Sequence, residues 1–328
     1  MPMPSRRSLA LLTFAASLSP RKARPQSGWT PSRPIRIIVP LAVGRGIDVI
    51  ARAIGQQIAS ILGQPVVIEN RPGGAGIVAG QQLMAAPADG YTFLATSNDL
   101  GLDVAVRSLP FDPSRDFEPV VMMTAAPILI VVTPASVIRD VKGLIGRANA
   151  EADGLKLGTV SLSSRLAASL FASNLSIRAT IIPYRAASHL IAALSSGDID
   201  AAFESTEQLF GEVRNGELRA LAAASTARIQ PFEQVPTLEE ESISGSNVTS
   251  WYALVARAGT PPEAILAINR AVNMALAIPS LAHSLSALGA DPRGGTPNDL
   301  GQALRNIRNT QFQVGDPGNL PPPLGGGR

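Results

Sequence analysis

The sequence predicts an α/β clam-shell, two parallel-sheet lobes with a cleft between them, and three observations carry that prediction. Short β-branched runs alternate with longer stretches of helical spacing, the pattern of a parallel sheet covered by helices. The alternation occurs twice along 328 residues, a length that allows about two domains at roughly 150 residues each. Long extended apolar segments join the two alternations, as the strands of a hinge would.

The first alternation runs strand 35–39, helix 49–62, strand 66–68, helix 77–86 and strand 91–95. A long apolar segment over 120–132 leads to the second: strand 156–160, helix 164–173, strand 179–182, helix 188–194 and strand 199–203. After 218–224 and a loop over 230–248, the strand 251–255 is followed only by helices. This pattern assigns 29–130 with 249–314 to lobe I and 131–248 to lobe II. The stretch 315–328 is rich in Gly and Pro and reads as a disordered tail.

Composition excludes much chemistry. With 45% hydrophobic and 16% charged residues the chain is globular. It has no Cys, so no disulfide, thiolate nucleophile, iron–sulfur cluster or cysteine zinc site is available. The two histidines, His189 and His283, lie 94 positions apart in no recognisable catalytic context. No cofactor or metal site is implied. Aromatics are 4% and there is no Lys/Arg stripe, so nucleic acid is a poor partner.

The formal charge of +3 is concentrated at the start. Residues 1–28 hold Arg6, Arg7, Arg21, Lys22 and Arg24 and no acid, leaving 23 basic against 25 acidic groups in the remainder. Arg6-Arg7 followed by the apolar run 9–18 reads as a secretory signal peptide, which places the mature chain in the periplasm. No other segment reaches 18 consecutive apolar residues.

In parallel sheets ligands bind beyond the carboxyl ends of the strands, where helix N-termini present free N–H groups. The loop after the first strand reads Pro40-Leu41-Ala42-Val43-Gly44-Arg45-Gly46-Ile47-Asp48, and the loop after the second reads Asn70-Arg71-Pro72-Gly73-Gly74-Ala75-Gly76. Glycine lets a backbone approach a bound anion, and it equally makes a tight strand-to-helix turn. Asp48 likewise reads either as a site carboxylate or as a helix cap. Gly74-Ala75-Gly76-Ile77-Val78-Ala79 fits G-x-G-x-x-A, but it opens the second βα unit and no acid ends the next strand at the required offset.

Several further blocks are specific. They are Trp29-Thr30-Pro31-Ser32-Arg33-Pro34-Ile35-Arg36-Ile37-Ile38-Val39-Pro40, Glu69-Asn70-Arg71-Pro72-Gly73-Gly74-Ala75-Gly76, Ala88-Asp89-Gly90-Tyr91-Thr92 and Leu109-Pro110-Phe111-Asp112-Pro113. Asp116-Phe117-Glu118-Pro119-Val120, Ile182-Pro183-Tyr184-Arg185, Val235-Pro236-Thr237 and Ala258-Gly259-Thr260-Pro261-Pro262 follow in order. With these blocks the chain resembles the Bug-type periplasmic receptors, substrate-binding proteins of tripartite tricarboxylate transporters. The resemblance implies a type II periplasmic-binding-protein clam-shell, a small carboxylate or related polar metabolite as ligand, and a transporter membrane component as partner.

Carried over by position, lobe I contacts come from Leu41, Ala42, Val43, Gly44, Arg45, Gly46 and Asp48, from Gly73, Gly74 and Ala75, and from Thr96, Ser97 and Asn98. Lobe II contributes Ser161, Ser163 and Ser164, Tyr184 with Arg185, and Glu204 with Ser205 in the turn that ends at Thr206. Arg45 stands where the family has glycine. Facing the cleft it pairs with a carboxylate; facing water it contributes little. The alternative function class is an exported α/β enzyme or NAD-linked protein of the same two-lobe shape.

Overall fold

The structure is a computed structural model that describes residues 28–44, 46–98, 110–230 and 232–313, excepting the side chains of Ala75 and of 307–313. The expected leader, Arg45 and the stretch 315–328 lie outside the described residues.

Lobe I begins with β1 (Ile35–Val39), α1 (Gly46–Leu62), β2 (Val66–Asn70), α2 (Ile77–Ala85) and β3 (Thr92–Ser97). Alternation in β1 decides its packing: Ile35, Ile37 and Val39 enter one core cluster, and Ile38 enters another on the opposite face. α1 covers the first cluster with Ile47, Ile50, Ala51, Ile54 and Ile58, a stripe at helical spacing. β1 pairs in parallel with β2 and β3.

After the short α3 (Pro113–Asp116) comes β4 (Phe117–Val132), a 16-residue strand that belongs to both lobes. Lobe II follows as α4 (Val141–Ala150), β5 (Leu155–Thr159), α5 (Leu162–Asn174), β6 (Ala179–Pro183), α6 (Ala187–Ser196), β7 (Ala201–Ser205), α7 (Thr206–Arg214) and β8 (Arg219–Ala224). The chain returns through β9 (Thr249–Arg257), α8 (Pro262–Leu276), α9 (Pro279–Ser286), β10 (Asp291–Gly294) and α10 (Pro297–Gln313).

The sheet is mixed. β5 is parallel to β6 and β7, as expected, but β9 runs antiparallel to β3, and β4 runs antiparallel to β7, β8, β9 and β10. The first part of β4, through Pro127, pairs with β9, and from Ile128 onward it pairs with β7 and β8. Proline lacks an N–H, so Pro127 fits the rung where one ladder ends and the next begins. The other crossing is adjacent: Pro127 pairs with Thr249, and the Ile128 amide donates to the Val248 carbonyl at 3.4 Å. Both crossings therefore sit on one rung. Lobe II buries its own two clusters, one around Phe171 and Phe203 and one around Leu129, Leu190 and Leu209.

One expectation is corrected. β9 is not followed only by helices, because β10 pairs with β4 from Asp291↔Ala125 to Gly294↔Met122. Its sequence, Asp-Pro-Arg-Gly, carries no apolar alternation, and the pairing exists because β4 offers an open edge.

Gly154 leads into β5 with φ +72°, and a Cβ there would run into the Arg178 carbonyl, which accepts the Leu155 amide at 3.0 Å. Gly154→Ala is expected to destabilise the chain by about 1–3 kcal/mol through strain and backbone collision. Urea unfolding measures it.

Candidate functional site

At the carboxyl edge of lobe I one carboxylate organises both glycine loops. Asp48 lies in the first turn of α1, 1% exposed. Its Oδ2 accepts the Gly44 amide at 2.8 Å, both its oxygens accept Arg52 Nε at 3.0 Å, and its Oδ1 accepts Asn70 Nδ2 at 2.9 Å. Asn70 Nδ2 also donates to the Leu41 carbonyl at 2.9 Å, and Arg52 Nη2 donates to Asn70 Oδ1 at 2.8 Å. The loop after β1 is thus tied to the end of β2. Asp48 holds that loop rather than standing before the helix as a simple cap.

Burial alone would raise the Asp48 pKa, but the hydrogen bonds from Arg52, the Gly44 amide and Asn70, with the Arg52 charge, together hold it below the usual carboxylate value. A depressed folded-state value contributes stability above the unfolded value of about 4 and loses it as pH falls through the folded value. Asp48→Asn should therefore narrow its stability deficit against the parent as pH is lowered from 5 through the acid range. Paired melting curves across pH check this; a deficit independent of pH contradicts it.

The second loop continues from Asn70 through Arg71, whose amide donates to the Val39 carbonyl at 2.7 Å. Gly73 and Gly74 are exposed with φ +134° and +57°. Gly74–Gly76 form a 3-10 turn that opens α2, whose N-cap Gly76, at φ +99°, supplies no side-chain cap. The Gly76 amide donates to the Gly73 carbonyl at 3.1 Å and the Ile77 amide to the Gly74 carbonyl, so the turn occupies these two itself, and no side chain caps the helix amides that follow. At the end of β3, Thr96 and Asn98 are buried and Ser97 is half-buried. A Cβ on Gly46 would lie 3.3 Å from the Tyr252 hydroxyl of β9.

Lobe II has a matching device. Glu204, at 0% exposure, accepts hydrogen bonds from Val160, Ser161, Ser164 and Ser205 at the ends of β5 and β7. Its Oε2 takes the Val160 amide at 3.0 Å, the Ser161 amide at 3.1 Å and Ser164 Oγ at 3.0 Å. Its Oε1 takes Ser161 Oγ at 3.2 Å and the Ser205 amide at 2.8 Å. Ser161 and Ser164 also form a capping box on α5. Ser163, Ser164 and Ser205 are buried. Among the predicted residues, Ser161, Ser164, Glu204 and Ser205 are therefore brought together.

Tyr184 is joined to this edge by its backbone, its amide donating to the Thr159 carbonyl at 2.7 Å. Its ring packs on the lobe II cluster containing Leu190 and Ile199, where burial, then the charge of Asp198, raises its hydroxyl pKa. Arg185 is exposed. The two carboxyl edges meet near the hinge rung, since Ile128↔Ser205, one residue along β4 from it, ends β7, and Ser97↔Tyr252, three residues along β9 from it, ends β3. The loops of both lobes therefore open onto one cleft.

The model of the tripartite tricarboxylate transporter family receptor matches residues 50–313. The chain belongs to that receptor family. BugT of Bordetella pertussis is 32% identical over 282 residues, covering 84% of this chain and 86% of BugT. Among solved structures, R. palustris Rpa4515 with adipate is 28% identical with a TM-score of 0.79, covering 89% of this chain and 99% of that one. MatC from Rhodopseudomonas palustris with bound malate is 27% identical with a TM-score of 0.74, covering 87% of this chain and 100% of that one. The two-lobe fold and the reading as a receptor rather than an enzyme both follow.

Within this receptor, both histidines are exposed on helices, His189 on α6 and His283 on α9. A groove of about 400 Å³ lies at the other end of the lobe I strands, lined by Arg33, Arg36, Val67, Asp89 and Tyr91 among others. Its cations are engaged: Arg33 pairs with Asp89 at 2.6 Å and stacks on Tyr91, and Arg36 pairs with Glu69 at 3.2 Å. Among the described residues no group of three or more His, Cys, Asp or Glu is arranged for a metal ion, and no single helix is long and apolar enough to cross a membrane. Sequence reading missed Arg52, whose i, i+4 spacing from Asp48 on a helix was the available signal. It also missed Asn70 as a partner of Asp48, 22 positions away, for which no local signal exists.

Proposed function

We propose that this chain is an extracytoplasmic solute receptor that captures a small carboxylate between its two lobes and delivers it to the membrane component of a tripartite tricarboxylate transporter. The observation that carries the reading is the glycine-framed start of α2, which no side chain caps, at the carboxyl edge of lobe I. Charge-assisted hydrogen bonds contribute about 1.5–3 kcal/mol each. Three or four from such amides and from the facing lobe reach the roughly 8 kcal/mol of a micromolar complex, before the cost of closure. Adipate on Rpa4515 and malate on MatC support a carboxylate of this size.

In this reading 29–130 with 249–314 form one jaw and 131–248 the other. Gly73, Gly74, Ser97 and the backbone at Ala75 are the lobe I ligand-facing positions, and the loop that starts at Ser161 faces them from lobe II. Asp48 and Glu204 hold the loops in shape without touching the ligand. The basic, acid-free start of the chain acts as an export signal, removed near residue 28. Mass spectrometry of the protein from the native cell envelope tests export: a mature terminus near that position is expected, and an intact Met1 in the cytoplasm contradicts it. The same preparation, denatured and extracted, should release a small organic acid.

A further inference from the structure

The two lobes treat the hinge in the same way. β3 ends at Ser97, paired with Tyr252, and the next residue, Asn98, leaves the strand. Its side chain carries the ladder onward: Nδ2 donates to the Thr249 carbonyl at 2.9 Å and Oδ1 accepts the Trp251 amide at 3.3 Å. A carboxamide has one donor face and one acceptor face, so it replaces the peptide unit that the strand no longer supplies. In lobe II, β7 ends at Ser205, paired with Ile128, and Thr206 opens α7. Its Oγ1, fully buried, donates to the Pro127 carbonyl at 2.8 Å.

Pro127 and Thr249 are partners on one rung, the last before both strands cross into lobe II. Each lobe therefore grips the same rung with one side chain, and each gripping residue begins a loop or helix at the ligand edge. We infer that Asn98 and Thr206 are positioning residues that lock the two ligand-bearing edges to the hinge, so that closure brings prealigned loops together. Asn98 acts through the strand β9 rather than through the ligand, which both ends of its carboxamide already indicate. The inference rests on the receptor reading for its effect on binding, while its effect on the hinge stands without a ligand.

The natural absence of Cys makes the test direct. Spin labels on Gln56→Cys in α1 and Ser195→Cys in α6, both exposed sites, report the distance between lobes in the ligand-free protein. Asn98→Ala and Thr206→Val are expected to broaden that distance distribution. Using adipate as probe, or whichever acid binds the parent, each should speed dissociation about five- to tenfold with association changed less than about twofold, the size of one lost hydrogen bond. Thr206→Ser, which keeps the hydroxyl, should restore both, and Asn98→Asp, which keeps the acceptor but not the donor, should not. Unchanged distributions and dissociation rates in folded variants overturn the inference, as does a Thr206→Ser protein that behaves like Thr206→Val. If Thr206→Val does not fold, the Asn98 pair decides. A parent that binds no acid contradicts the receptor reading alone, and the distance distributions still decide the hinge.

Discussion

Glu204→Ala is expected to lower stability by about 3–5 kcal/mol, because truncation strips a buried acceptor from several donors at once. The Val160, Ser161 and Ser205 amides and the hydroxyls of Ser161 and Ser164 all point at that carboxylate. Water reaches the Ser205 amide and the Ser164 hydroxyl only by opening the edge of lobe II, since Glu204, Ser164 and Ser205 are almost wholly buried. Glu204→Gln should recover part of the loss, because one oxygen remains, but its amide nitrogen must face donors. Urea denaturation of the three proteins ranks them; a loss under about 1 kcal/mol for the alanine variant shows that the loop holds its shape by other means.

The second large effect is on binding. Gly74 has φ +57°, and a Cβ there would lie 3.2 Å from Ile77 Cβ. A β-branched residue is poorly tolerated in that left-handed region, so Gly74→Val should turn the loop and swing the first amides of α2 out of line. Carboxylate affinity should fall about 100-fold, the equivalent of one to two charge-assisted hydrogen bonds. Gly63→Ala provides the control, because Gly63 has φ +66° with open space around it and lies at the far end of α1. It should cost about 1 kcal/mol of stability while leaving affinity unchanged. Equal affinities for the parent and Gly74→Val would place the anion elsewhere.

The βαβαβ half of lobe I was legible because each of its strands is a short apolar run bounded by Pro, Gly or Asn, and each helix carries a stripe. Strand direction was not legible in the same way: the apolar run 249–257 reads alike whether it joins β3 parallel or antiparallel, and the structure makes it antiparallel. β4 reads as one long segment, and its change of partners at Pro127 depends on strands far along the chain. At the site, the glycine loops announced themselves through composition. The organising roles of Asp48 and Glu204 did not, because Asn70 reaches Asp48 from 22 positions away and the Val160 amide reaches Glu204 from 44. Asn98 was legible as a site position, but its carboxamide is committed to β9.

The most direct test of the account is calorimetric and thermal titration of the mature protein with a panel of dicarboxylates, monocarboxylates, aromatic acids and their amides. The account predicts that at least one acid binds with one-to-one stoichiometry and raises stability by about 2.7 kcal/mol at 100 times its dissociation constant, with its uncharged amide weaker. No stabilisation by any acid in the panel, or equal stabilisation by acid and amide, would contradict it.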